Sequence, residues 1–259
     1  MFFKIYGERN SGTNFLIKLI KKNFGNTYGD DEGQKRIDNK YYFWKHGIPK
    51  NDTKNNKENK LVVKLFIFRR LEPWLVSMFH NPYHLTGIDT FDTLLNVKFT
   101  DEYIEKRDEN VYLHNNKIIN FEDRNKTIFD IRYYKIQKIK EYCQANENIV
   151  ILNLEYLQKD ENCLKFLKDL NNIYKLGKKT FSLVEKHTKD KSDVKNKVYD
   201  TNYCDYQETI DKYKNESIEN EINNLTYYIK NTKPKIDFNK YKKEQLNKLN
   251  KLKLKYLKL

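Results

Sequence analysis

The chain belongs to the α/β class on its sequence pattern, with helices expected on both faces of a central, mostly parallel sheet in a three-layer α/β/α arrangement. Two observations predict this. Leu61 to Phe68 and Asn148 to Leu154 are nearly continuous apolar runs, the pattern of strands buried on both faces of a parallel sheet. Segments with apolar residues at helical spacing alternate with them, as strand–helix repeats require. The chain has 259 residues, 38% of them apolar, which is enough to bury a core without staples.

Taken in order, Phe2 to Tyr6 reads as the first strand, followed by the turn GERNSGTN. A helix follows over Phe15 to Phe24, with Phe15, Leu16, Leu19, Ile20 and Phe24 at helical spacing. A second strand is expected over Tyr41 to His46, ended by Gly47 and Pro49, and Asn51 to Lys60 is a polar loop. After the strand at Leu61 to Phe68, Pro73 marks the start of a helix whose apolar side carries Trp74, Leu75, Met78 and Phe79. Thr86 to Arg124 has no strong period and reads as loops and short helices. Lys126 to Cys143 predicts a helix, Asn148 to Leu154 the fourth strand, and Glu161 to Tyr174 and Asn215 to Lys230 two more helices. Residues 1–232 form one domain in this reading, and 233–259 a basic amphipathic helix or tail.

Charge and cysteine usage narrow the class further. The net charge is +14, of which the tail from Lys233 onward supplies +8, by ten Lys against Asp237 and Glu244. The excess is therefore local, which weighs against a nucleic-acid-binding protein; the tail is expected as a solvated or loosely docked helix, with contact to an acidic membrane surface or to nucleic acid left open. Cys143, Cys163 and Cys204 are odd in number and widely spaced, so neither a disulfide frame nor a zinc site is expected. With no apolar run of membrane-spanning length and no secretory leader, a reducing, cytoplasmic setting is expected.

Ligands of open parallel sheets bind beyond the carboxyl ends of the strands, and three segments converge there. Gly7 to Thr13 is a strand-to-helix turn suited to holding a phosphate or sulfate on helix N-terminal amides. It resembles a nucleotide-binding loop, but Thr13 and Asn14 stand where such loops carry Lys and Ser or Thr, which disfavours a Mg-dependent phosphoryl transferase. WKHGIP, Trp44 to Pro49, puts His46 at a strand end, where it can act as a general base. FIFRRLEPWLVSMF ends a buried strand in Arg69 and Arg70 and places Ser77 on the next helix, a pairing that can clamp a phosphate.

Together these segments resemble the sulfotransferases that use 3′-phosphoadenosine 5′-phosphosulfate (PAPS), a family with a P-loop-like nucleotide-binding topology. RNSGTNF, Arg9 to Phe15, is similar to the family's PKSGTTW loop, and KHGIP, Lys45 to Pro49, to its KTHLP. Arg69 and Ser77 keep the family's eight-residue interval between the Arg and Ser of its 3′-phosphate site. NIVILNLEYL resembles a late strand and turn of the family, with Glu155 and Tyr156 exchanged in order. The resemblance implies that Asn10, Ser11, Gly12, Thr13 and Asn14 lie along the 5′-phosphosulfate and that Phe15 stacks on the adenine. It implies that Arg69 and Ser77 hold the 3′-phosphate and that His46 deprotonates a hydroxyl acceptor, sugar hydroxyls included, without a metal. The family's loop lysine is Asn10 here, so Arg9 first and Lys45 second are expected to supply its charge. A nucleotide-binding module without turnover and a P-loop nucleotide kinase are the rival readings.

Overall fold

A computed structural model describes residues 1–25, 27–28, 36–37, 40–41, 45–46, 49, 62–81, 88–96, 113–114, 117–118, 127–185 and 206–231. Its strands are β1 (Phe2–Gly7), β2 (Thr27–Tyr28), β3 (Arg36–Ile37), β4 (Lys40–Tyr41), β5 (Val62–Phe68), β6 (Leu113–His114), β7 (Lys117–Ile118), β8 (Ile149–Asn153) and β9 (Tyr227–Lys230). Its helices are α1 (Thr13–Phe24), α2 (Leu71–His80), α3 (Phe91–Asn96), α4 (Ile128–Ala145), α5 (Leu154–Leu157), α6 (Asp160–Tyr174), α7 (Gln207–Tyr213) and α8 (Glu216–Asn224).

The main sheet has five strands in the order β2-β1-β5-β8-β9. β1 runs parallel to β2 and β5, β5 parallel to β8, and only β9, at the edge, is antiparallel. Registers from Phe2↔Val62 to Gly7↔Ile67 and from Lys64↔Ile149 to Phe68↔Asn153 bring the carboxyl ends of the three central strands level. From β1 the chain passes first to the neighbour on one side, β2, and later to the neighbour on the other, β5. This reversal is a topological switch point between β1 and β5, whose carboxyl ends are the usual ligand position in open α/β sheets.

Alternation along the strands divides the core between two faces. Phe3, Ile5, Val63, Leu65, Ile67, Val150 and Leu152 meet α1 and α6 through Leu16, Leu19, Ile20, Phe166, Leu167 and Leu170. On the opposite face Tyr6, Phe66, Phe68 and Ile149 meet Ile136, Ile139, Tyr142 and Cys143 of α4 and Ile222 of α8. Helices therefore cover both faces of a mostly parallel sheet. A further apolar cluster joins α2, α3, the start of α4 and Ile210 of α7.

Two sequence expectations are corrected. Of the strand expected over Tyr41 to His46, residues 42–44 lie outside the described residues. Lys40–Tyr41 pairs antiparallel with Arg36–Ile37 in a separate hairpin, and Lys45 and His46 lie in a turn. The helix expected over Asn215 to Lys230 stops at Asn224, and the aromatic, β-branched stretch Tyr227–Lys230 becomes the edge strand β9. Among the described residues no helix is long and apolar enough to cross a membrane. The tail from Lys233 onward and Trp44 lie outside the described residues.

Candidate functional site

The loop leaving β1 is held in shape by its own backbone. At Gly7 a Cβ would lie 2.6 Å from the Ile67 carbonyl oxygen and 2.5 Å from Ser11 Oγ, so only glycine fits between the strand and the returning turn. Ser11 closes that turn: its amide and its Oγ both donate to the Glu8 carbonyl, at 3.3 and 2.6 Å. Asn10 and Gly12 adopt left-handed conformations, φ 58° and 91°. Asn tolerates that region and Gly is unstrained there. A Cβ at Gly12 would also come within 2.6 Å of Leu154 Cδ1.

This loop delivers the chain into α1, whose first amides have no intrahelical acceptor. Gly12, the N-cap, supplies no side-chain bond. Among the described helices α1 alone lacks an acidic residue in its first turn. No acid of its own first turn thus offsets the positive end of its dipole, a condition that favours an external anion. A cation stands beside it. Lys45 Nζ donates to Asn14 Oδ1 at 2.6 Å, while the Lys45 carbonyl accepts from the Gly7 amide at 2.9 Å. The segment carrying Lys45 and His46 therefore rides on the last residue of β1.

His46 is buried, with Nδ1 2.9 Å from the Gly7 carbonyl oxygen. A carbonyl only accepts, so Nδ1 carries the ring proton and Nε2 carries the lone pair. Burial, with the nearby charges of Arg9, Lys45 and Lys135, pushes its pKa well below the ordinary 6.5, although the Gly7 bond acts the other way. The ring is a neutral base at neutral pH.

Arg69 and Ser77 meet around Asn10. Arg69 Nη1 donates to the Asn10 carbonyl at 3.1 Å. The Asn10 amide group donates to the carbonyls of Ser77 and Asn81, at 3.2 and 3.1 Å, near the end of α2. Asn10 therefore ties the loop to α2. Glu155, just past β8, holds Arg69 in a 3.5 Å ion pair and accepts from the Arg70 amide at 3.1 Å. Burial lowers the Arg69 pKa, and Glu155 opposes that shift. Thr13 is buried at the start of α1, and Phe15 is half-buried against the apolar cluster under that helix. The structure thus brings His46, Lys45, Asn14, Gly12 and the loop together at one end of β1, with Arg69 and Ser77 on the α2 side of Asn10. Arg9 contributes its carbonyl to Trp74 Nε1, at 2.8 Å.

Several residues here escaped the sequence reading. Arg132 of α4 is fully buried, with Nη1 2.5 Å from Glu8 Oε2, Nε 2.8 Å from Glu219 Oε1 and Nη2 2.8 Å from the Arg69 carbonyl. Glu8 is pushed up to about 7 by burial, against the pull of Arg132 and Lys135 and with a further push from Glu219. A signal existed: Phe129, Arg132, Ile136, Ile139 and Cys143 follow one helical stripe, and a charged residue in an apolar stripe marks a buried ion. Among the described residues no group of three or more His, Cys, Asp or Glu is arranged to hold a metal ion. No protein-family model, curated protein or solved structure matches the chain.

Proposed function

We propose that the chain is a PAPS-dependent sulfotransferase of P-loop-like topology, moving a sulfuryl group to a hydroxyl acceptor, sugar hydroxyls included. One observation carries this reading. A neutral base of fixed tautomer, His46, and a lysine, Lys45, sit side by side on the end of β1 against a helix N-terminus that lacks both a cap side chain and an acid. His46 Nε2 takes the acceptor's proton, and the acceptor oxygen forms its bond to sulfur. The bond from sulfur to the bridging phosphate oxygen breaks, and its electron pair stays on the phosphate. Lys45 and the first amides of α1 stabilise that developing charge, as fixed donors do most effectively. Arg69 holds the 3′-phosphate from the α2 side of the loop, together with Ser77.

Asn10 specifically favours a second reading, a nucleotide-binding module without turnover, because it replaces the family's lysine and its amide is engaged by α2. Turnover separates the two. With labelled PAPS and a panel of sugar acceptors, the wild-type chain is expected to transfer label. His46→Ala is expected to lose roughly 10²-fold or more in kcat while binding 3′,5′-adenosine bisphosphate as the wild type does. Bisphosphate binding with no transfer to any acceptor supports the second reading, and full transfer by His46→Ala removes His46 as the base.

A further inference from the structure

Beneath the site a single guanidinium joins its separate pieces. Arg132 Nη1 bonds Glu8, the first residue after β1, and Nη2 bonds the carbonyl of Arg69, the first residue after β5. Its Cζ lies 4.6 Å from the centre of the Trp74 ring, and Trp74 Nε1 donates to the Arg9 carbonyl. On the far side Nε and Nη2 grip both oxygens of Glu219 on α8, at 2.8 and 3.1 Å. The residues that follow the two strand ends at the switch point are therefore both bonded to one side chain on a third element.

We propose that Arg132 is a positioning residue, which sets the separation between the loop after β1 and Arg69 so that their donors meet one ligand together. The inference rests on the sulfotransferase reading for the identity of that ligand. Stability alone is a weak explanation for the cluster. Buried ion pairs recover little beyond their desolvation cost, and apolar side chains of similar volume often serve as well. The cluster also retains a defect: Glu8 Oε1 is buried with no hydrogen-bond partner among the described residues. What the guanidinium supplies is geometry, a planar fork that reaches two backbone-linked groups at fixed angles, which lysine cannot reproduce.

The test uses the full 259-residue chain and compares Arg132→Lys with Leu170→Ala, a truncation in the apolar cluster on the α1 and α6 face. Two readouts are taken, amide hydrogen exchange and the Kd for 3′,5′-adenosine bisphosphate. Arg132→Lys is expected to speed exchange in residues 7–12 and 69–71 about tenfold more than in β8, and to raise Kd about tenfold, about 1.4 kcal/mol. Leu170→Ala is expected to lower stability with neither change. Glu219→Gln, which keeps the side-chain shape but turns one of the two accepting oxygens into a donor facing the guanidinium, carries the same test should Arg132→Lys not fold. Selective loosening of the loops in a chain that never binds the bisphosphate supports the positioning role and overturns the functional reading. Bisphosphate binding by the wild type, with exchange and Kd unmoved in Arg132→Lys or moved equally in Leu170→Ala, overturns the positioning role.

Discussion

The two faces of the sheet are built from different materials. The face under α1 and α6 is an apolar cluster of aliphatic and aromatic side chains with Cys163, among them Phe3, Ile5, Leu65, Val150 and Phe166. The face under α4 and α8 also has an apolar cluster, but Arg132, Lys135 and Glu219 from those two helices are buried beside it. Apolar burial is non-directional and scales with area, so the first face contributes stability without fixing any one atom. The charged groups contribute less net stability but are directional, and they sit directly under the strand ends where the candidate site lies. The comparison separates what holds the chain together from what aims its loops.

Substitutions test that separation from both sides. Phe166→Ala, on the apolar face, is expected to cost about 3–5 kcal/mol in urea unfolding and to leave the bisphosphate Kd unchanged in the population that stays folded. A changed Kd would mean that the apolar face also shapes the site. His46→Ala reverses the pattern, with a loss of about 2.7 kcal/mol or more in transition-state stabilisation, equivalent to 10²-fold in kcat, and unaltered bisphosphate affinity. Because the wild-type His46 pKa is held well below 6.5, the activity lost on acidification through His46 protonation is expected to set in below that value in a pH–rate profile.

Glu8 gives a smaller effect with a definite sign. Its pKa rises from an ordinary 4.5 to about 7 on folding, so the folded chain keeps a proton that the unfolded chain releases between those values. Its contribution to stability is complete below about 4.5, is lost as pH rises through about 7, and levels off above. The slope is at most about 1.4 kcal/mol per pH unit. Urea unfolding across that interval is expected to show the slope in the wild type and its loss in Glu8→Gln; identical slopes would place the titration elsewhere. Smallest of all is the exposed Lys138–Glu141 pair on α4, 2.7 Å apart. Lys138→Ala is expected to leave the urea midpoint unchanged within error, since water already solvates both partners.

The difference between the faces also explains what the sequence made legible. Val62–Phe68 and Ile149–Asn153 are strands buried along nearly their whole length, and their apolar runs left little alternative. Thr27–Tyr28 is two residues long and has no period to detect. In Glu216–Lys230 the spacing of Ile218, Ile222, Leu225 and Ile229 mimics a continuing helix, which hid the edge strand. At the site, the motifs around Gly12, His46 and Arg69 stood out because each combines a strand end with an unusual residue cluster. Glu8, Arg132, Lys135 and Glu219 did not, since 33% of the chain is charged and a buried ion differs from a solvated one only in what surrounds it. Only Arg132 and Lys135, lying among the buried positions of α4, carried a readable trace of burial.

The most direct measurement is a thermal-shift titration of the full chain with 3′,5′-adenosine bisphosphate and, separately, with ATP and Mg, because a ligand bound only by the folded state must raise Tm. The sulfotransferase account predicts a concentration-dependent rise with the bisphosphate and none with Mg-ATP. A rise with Mg-ATP alone, or with neither ligand, contradicts it.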